Sequence, residues 1–334
     1  MMKKRKEKSI DELVEGIVKG DRVTLAQAIT LIESNSSRHF ERAQQLIEAL
    51  LPYEKQAVRI GITGVPGAGK STFIDTFGTF LTEQGLKVAV LAVDPSSKVS
   101  KGSILGDKTR MERLSRNNLA FIRPSPSGGT LGGVNRKTRE TILLCEAAGY
   151  DVIIVETVGV GQGEFVVRSM VDFFLLIVLT GAGDELQTMK KGIMELPDLV
   201  VVNKADGDNV EKAKKAKEEI NMMLHFLKSY TEGWQTKAVT ASSLQETGID
   251  HIWSLIQKFV HETKQSGQFT KRRKEQQLEW MHEMIKEHIE RQFYEHPEMK
   301  ELVPQFEREI MNGKRAVSAS VLQLVSLFQQ QLKL

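Results

Sequence analysis

The chain has 334 residues, with 46 Lys and Arg against 43 Asp and Glu and a net charge of +3. That length holds one large α/β domain with helical additions, and the near balance of charge gives no sign of a nucleic-acid binder. A single cysteine, Cys145, rules out a disulfide framework. With no apolar run of membrane-spanning length and no apolar leader behind the charged start, the expectation is a cytoplasmic protein without a membrane partner.

In chain order, the stretch from about Ile10 to Leu51 reads as helices. "LVEGIVKG", "TLAQAITLIES" and "FERAQQLIEALL" each have helical periodicity, and Pro52 ends the segment. "AVRIGIT" is then apolar and β-branched, as a buried strand should be. It runs into Gly64-Val65-Pro66-Gly67-Ala68-Gly69-Lys70-Ser71-Thr72, which fits G-x-x-x-x-G-K-[ST]. Glycines there let consecutive backbone N–H groups turn inward on a phosphate chain. Lys70 would reach the β- and γ-phosphates, Ser71 would ligate Mg²⁺, and the helix starting near Lys70 adds its positive end. That helix carries Phe73, Phe77, Phe80 and Leu81 on one stripe and stops at Gly85.

From Val58 to about Val260 the sequence alternates strands and helices. "RIGIT", "KVAVLAV", "LAFIRP", "YDVIIVET", "FFLLIVL", "DLVVVNK" and "KAVTASS" are the strand candidates. This is the pattern of a mostly parallel, doubly wound sheet. Asp94 follows "KVAVLAV", at the strand end that faces the ligand crevice, where it would hold Mg²⁺ directly or through water; Asp94-Pro95-Ser96-Ser97 is also a good turn. "DVIIVETVGVGQGE" brings Glu156 to the end of a buried strand as a Walker B acid, a second oxygen ligand for Mg²⁺ beside Ser71. Gly159 and Gly161 let the backbone approach a γ-phosphate. Gln162 is placed to orient water, or equally to hydrogen-bond within its loop. "DLVVVNKAD" gives Asn203, Lys204 and Asp206. The Asp206 carboxylate accepts from N1–H and the 2-amino group of guanine, whereas adenine would leave it unpaired. The Lys204 stem covers the base. Ser242, Ser243 and Leu244, in "TASSL", form the loop whose backbone N–H meets guanine O6.

The charged run "ETKQSGQFTKRRKEQQ" reads as a linker or the start of a long helix. The basic runs "MKKRK" and "KRRK" read as solvated segments. From about 275 the chain is helical again. The expected apolar stripes are Met281, Met284, Ile285 and Ile289; Leu302, Phe306 and Ile310; and Leu322, Val325 and Leu327.

Together "DPSS", "GSILGDKTRM", "RPSPSGGTLGG", "ETVGVGQ", "GAGDELQ", "KKGIMEL" and "VVNKAD" resemble the MeaB/ArgK family, densely over about Val58 to Ile256 and in outline at the helical ends. These are P-loop GTPases that act as chaperones for adenosylcobalamin-dependent acyl-CoA mutases. The resemblance implies an α/β P-loop NTPase fold with an N-terminal helical extension (1–52), a GTPase domain (53–262) and a C-terminal helical dimerisation arm (263–334). It implies GTP hydrolysis to GDP and phosphate, Mg²⁺, a homodimer, and a mutase partner acting on methylmalonyl-CoA or isobutyryl-CoA. By similarity, Asp94, Asp107 and Glu156 match the acidic positions around Mg²⁺, and 181–191 matches a loop that responds to the mutase. The departures from the family pattern fall in loops: Lys101 and Thr188 where glycine is usual, Thr180-Gly181 for Pro-Gly, and Ser243 for Ala. Arg110 and Arg113 are the arginines to consider for transition-state charge.

Three other readings compete. A nickel-insertion GTPase needs clustered soft or imidazole ligands, whereas the seven His residues here are scattered and Cys145 stands alone. A kinase, including one linked to amino-acid transport, usually lacks Asn-Lys-x-Asp. A scaffold that binds GTP without cleaving it has no need of a full Mg²⁺ set.

Overall fold

Each of the seven apolar runs forms a strand: β1 (Val58–Gly64), β2 (Val88–Val93), β3 (Ala120–Arg123), β4 (Val152–Thr157), β5 (Phe173–Val178), β6 (Leu199–Val202) and β7 (Lys237–Thr240). The computed structural model describes residues 7–34, 36–53, 55–93, 111–124, 131–157, 163–181 and 192–331. All neighbouring strands are parallel, in the order β3-β2-β4-β1-β5-β6-β7. A parallel sheet is covered on both faces, which is why these strands read as unbroken apolar runs. β5 is buried along its whole length.

Three helices precede the sheet: α1 (Ile10–Val18), α2 (Arg22–Glu33) and α3 (Ser37–Leu50). Ser9 and Glu12 close a capping box on α1, and the Asp21 carboxylate accepts from the N–H groups of Val23 and Thr24 to start α2. Helices α4 (Lys70–Glu83), α5 (Glu112–Ser115), α6 (Leu131–Ala147), α7 (Gly163–Arg168), α8 (Val210–Phe226) and α9 (Ile249–Gln265) connect the strands. On one face Ala89, Leu91, Ile153 and Val155 meet Ile142 and Leu144 of α6. The same apolar cluster continues into Ile17, Leu25, Ile29 and Leu46 of α1–α3. On the other face Ile60, Ile62 and Ile154 meet Phe73, Phe77 and Leu81 of α4 and Ile252, Ile256 and Phe259 of α9. The predicted stripe of α4 is therefore core, and Gly85 beyond it has φ +79. Cys145 is fully buried, and burial pushes its thiol pKa well up.

The chain ends in α10 (Gln268–Glu295), α11 (Pro297–Met311) and α12 (Val317–Gln331). The described residues fall into two compact units divided between Gln276 and Gln277. Two expectations need correction. In "KRRK" Lys271 and Lys274 are exposed, but the two arginines are docked: Arg273 binds the Asp172 carboxylate at 2.7 Å and the Ala57 carbonyl at 2.6 Å, and Arg272 binds Thr231 and the Asp172 carbonyl. The charged run covers the end of α9, Ser266-Gly267 and the first turns of α10, which its arginines dock. In α12 the buried stripe is Ser320, Leu324 and Phe328, at i, i+4 and i+8, while Leu322 and Val325 are exposed. Leu327 packs beside that core rather than forming it. Spacings of three and then two do not keep one helical face, and spacings of four nearly do. Among the described residues no helix is long and apolar enough to cross a membrane.

Candidate functional site

The central strand β1 delivers its C-terminal end between β4 and β5, the crevice where open α/β sheets bind ligands. Gly64 leaves the strand at φ +154, and a Cβ there would lie 2.3 Å from the Ile177 carbonyl oxygen. Only glycine fits so close an approach of two backbones. Val65 to Ala68 form the turn, with the Ala68 N–H donating to the Val65 carbonyl at 3.1 Å. Pro66 and Gly67 are exposed and Ala68 is buried. Gly69 adopts φ +85 and α4 starts at Lys70. The Lys70 ammonium donates to the carbonyls of Gly64 at 2.7 Å and Val65 at 3.2 Å. Burial holds it below the ordinary lysine range, against the opposing pull of the Glu156 and Glu164 carboxylates. Thr72 is exposed, on the first turn of α4.

β4 lies beside β1 and carries Glu156 next to its C-terminal end. The Ser71 hydroxyl donates to Glu156 Oε1 at 3.2 Å. Cis oxygens of an octahedral Mg²⁺ site at ~2.1 Å stand about 3.0 Å apart, so this pair fits as two neighbouring ligands with little movement. Asp94, Asp107 and Gln162, with Gly159 and Gly161, lie outside the described residues, as do Arg110, Lys101 and Thr188. Arg113 is described, and it is bound to Glu246 in the loop after β7 rather than turned to the phosphate loop.

The Asn203-Lys204-Ala205-Asp206 segment follows β6. Asn203 is 1% exposed and works as a junction. Its Nδ2 donates to the Ala68 carbonyl at 2.9 Å, and its Oδ1 accepts from the Ser243 hydroxyl at 2.9 Å. The phosphate loop, the Asn-Lys-Ala-Asp turn and the 242–244 loop are thereby held as one piece. Thr76 of α4 adds a bond to the Ser243 carbonyl at 2.8 Å. Lys204 sits at φ +57 with its side chain exposed. The Asp206 carboxylate accepts from the buried Ser242 hydroxyl, which itself accepts from the Gln245 N–H at 3.0 Å. Leu244 is 80% exposed. Two of the family departures gain a bond here. The Ser243 hydroxyl is the donor to Asn203, and Thr180 donates to Asn209 Oδ1 at 2.8 Å.

The described candidates thus gather along one edge of the sheet, on Gly64–Thr72, Glu156, Asn203–Asp206 and Ser242–Leu244. The junction role of Asn203 and the anchor Thr76 are additions that no local motif announces. Asn203 and Ala68 are 135 positions apart, a contact that spacing cannot reveal.

Comparison with known proteins places the chain in a family. Residues 25–298 match the family model described as methylmalonyl Co-A mutase-associated GTPase MeaB. The chain is 50% identical over 283 residues to the GTPase ArgK of Escherichia coli, covering 85% of this chain and 86% of that protein. It is 46% identical over 319 residues to the mitochondrial methylmalonic aciduria type A homolog of Mus musculus, covering 92% of this chain and 77% of that one. The crystal structure of a protein named LAO/AO transport system kinase superposes with a TM-score of 0.77 at 39% identity, covering 97% of this chain and 99% of that one. A phosphate loop on the central strand of a parallel sheet, an Asn-Lys-Ala-Asp turn locked to it, and a family match over most of the chain lead to one conclusion: this protein is a P-loop GTPase of the MeaB family.

Proposed function

We propose that the chain couples GTP hydrolysis to the service of an adenosylcobalamin-dependent acyl-CoA mutase, gating cofactor loading and protecting the enzyme from inactivation. The observation that carries the partner is the mutase-associated family match across residues 25–298. In this reading the backbone N–H groups of Gly64–Thr72 cradle the phosphates, and Lys70 exchanges its carbonyl partners for β- and γ-phosphate oxygens. Ser71 and Glu156 would hold Mg²⁺, with Asp94 and Asp107 as further acidic candidates, and the ion would supply charge neutralisation. Asp206 takes guanine N1–H and the 2-amino group, Lys204 covers the ring, and the Ser242–Leu244 backbone meets O6. Gln162 orients the water that attacks the γ-phosphorus as the bond to the bridging oxygen breaks, leaving GDP and phosphate.

Arg113 is engaged at the guanine-side loop, so the reading assigns it no charge-stabilising role at the phosphates. Turnover by the chain alone should then be slow, with the partner accelerating it. The test is GTP hydrolysis by the purified protein with and without an adenosylcobalamin-dependent acyl-CoA mutase, with Lys70→Ala as the inactive control. Stimulation by the mutase supports the reading. Hydrolysis indifferent to every such mutase removes the partner and leaves the GTPase.

We also infer self-association through the second unit. The part of α10 within that unit exposes Leu278, Met281, Ile285 and Ile289 at spacings of three and four, one continuous apolar face.

A further inference from the structure

Across the centre of the sheet, one row of side chains reads Val93, Thr157, Thr63, Leu176 on β2, β4, β1 and β5. Val93 and Leu176 are apolar and buried, as the row requires. Thr63 and Thr157 are buried as deeply, at 1% and 2% exposure. The Thr157 hydroxyl donates to the Thr63 hydroxyl at 2.7 Å. A buried hydroxyl costs free energy unless it is bonded, and two valines would fill the same space without that demand. The pair therefore calls for a reason beyond packing.

Its position supplies one. The backbone register of β1 with β4 runs from Val58↔Val152 to Ile62↔Glu156, and the hydroxyl pair takes over one residue later. Thr63 immediately precedes Gly64, and Thr157 immediately follows Glu156. On its other side Gly64 is pressed against the Ile177 carbonyl of β5. The entry to the phosphate loop is thus clamped by a backbone contact on one side and by the threonine pair on the other.

We propose that Thr63 and Thr157 are positioning residues for GTP hydrolysis: their hydroxyl bond fixes the distance between the phosphate loop and the end of the Glu156 strand. They act through Ser71 and Glu156, whose 3.2 Å separation depends on how the two strand ends are held. Nucleotide binding draws mainly on the Gly64–Thr72 backbone and on Asp206, so losing the bond should affect turnover far more than affinity. This inference rests on the nucleotide-site assignment given above.

The test compares Thr157→Val, Thr63→Val, the double variant and Thr157→Ser. Each is assayed for kcat and KM with GTP, GDP affinity, and melting temperature. Thr157→Val should lower kcat about tenfold, the scale of a small displacement in a positioned transition state, with GDP affinity within about twofold of the unaltered chain. Thr157→Ser keeps the hydroxyl and should restore kcat. The double variant discriminates most sharply. With no hydroxyl left unpaired its melting temperature should recover, because replacing both partners removes the orphan, while kcat stays low. A kcat that recovers with melting temperature in the double variant, or a kcat unchanged in Thr157→Val, overturns the inference. If Thr157→Val does not fold, the double variant carries the test alone. Absence of hydrolysis by the unaltered chain would instead overturn the underlying site assignment and the inference with it.

Discussion

If Asp206 selects guanine as proposed, its carboxylate has to be aimed, and Ser242 is the residue bonded to it. The Ser242 hydroxyl accepts from the Gln245 N–H, which leaves its own proton for Asp206. One carboxylate oxygen is thereby held, and the group is set for the two donors on the guanine edge. Changing Ser242 to Ala removes a hydrogen bond to a charged group, worth about 1.5–3 kcal/mol, and leaves the Gln245 N–H without its acceptor. GDP affinity by calorimetry should fall about tenfold or more. Asp206→Asn should act differently. Its amide presents a donor to the guanine 2-amino group, so GTP binding should weaken sharply, whereas XTP, with an oxygen at that position, should bind better than it does to the unaltered protein. Unchanged GTP preference in Asp206→Asn would refute the base assignment.

Among the elements, the start of α10 shows how a charge run becomes an anchor. Asp198 is fully buried and accepts from the Phe174 N–H at 2.9 Å, from Thr231 and from Arg168. The Arg168 guanidinium also lies 4.2 Å from the Tyr230 ring centre. Arg272 shares Thr231 with it, and Gln276 of α10 donates to the Val171 carbonyl at 2.8 Å. Helix α7 and the start of α10 thus meet on one buried carboxylate. Asp198→Ala should destabilise the protein by about 3–5 kcal/mol, because Arg168 would be left buried without its counter-charge. Urea unfolding measures this, and the exposed Glu15–Lys19 pair is the control, since solvent screens it and removing it should leave the unfolding midpoint nearly unchanged. The same element marks the limit of what sequence carries. The seven strands were legible because parallel strands must be apolar on both faces, and the phosphate loop because its glycines obey local backbone geometry. "KRRK" was not, since solvated and docked arginines have the same spelling. The α12 stripe was misplaced because that helix has apolar residues on more than one face. The Asn203–Ala68 bond and the threonine pair join residues 135 and 94 positions apart, so no local pattern encodes them.

For the whole molecule, the question is what completes the second compact unit. Its interior rests on Met299, Phe306, Leu324 and Phe328, with Phe293, Leu302, Val303 and Leu327 packed around them. A core of four buried side chains is small, and units of that size seldom supply more than about 3–5 kcal/mol without a partner or a cross-link. No cross-link is available, because the only cysteine is Cys145. Meanwhile α10 leaves Met281, Ile285 and Ile289 each about half exposed, and α12 leaves Val321, Leu322 and Val325 in the open. Contiguous apolar faces of this kind mark association surfaces. If the proposed self-association uses the α10 face, light scattering on the full chain should give twice the chain mass at micromolar concentration. Ile285→Lys combined with Ile289→Lys should give a monomer, because charges placed on that face cannot be desolvated without partners. GTP hydrolysis by the double variant should persist, since neither residue lies among the nucleotide-site residues. A monomeric unaltered chain, or a dimer that tolerates both lysines, would remove this face from the interface.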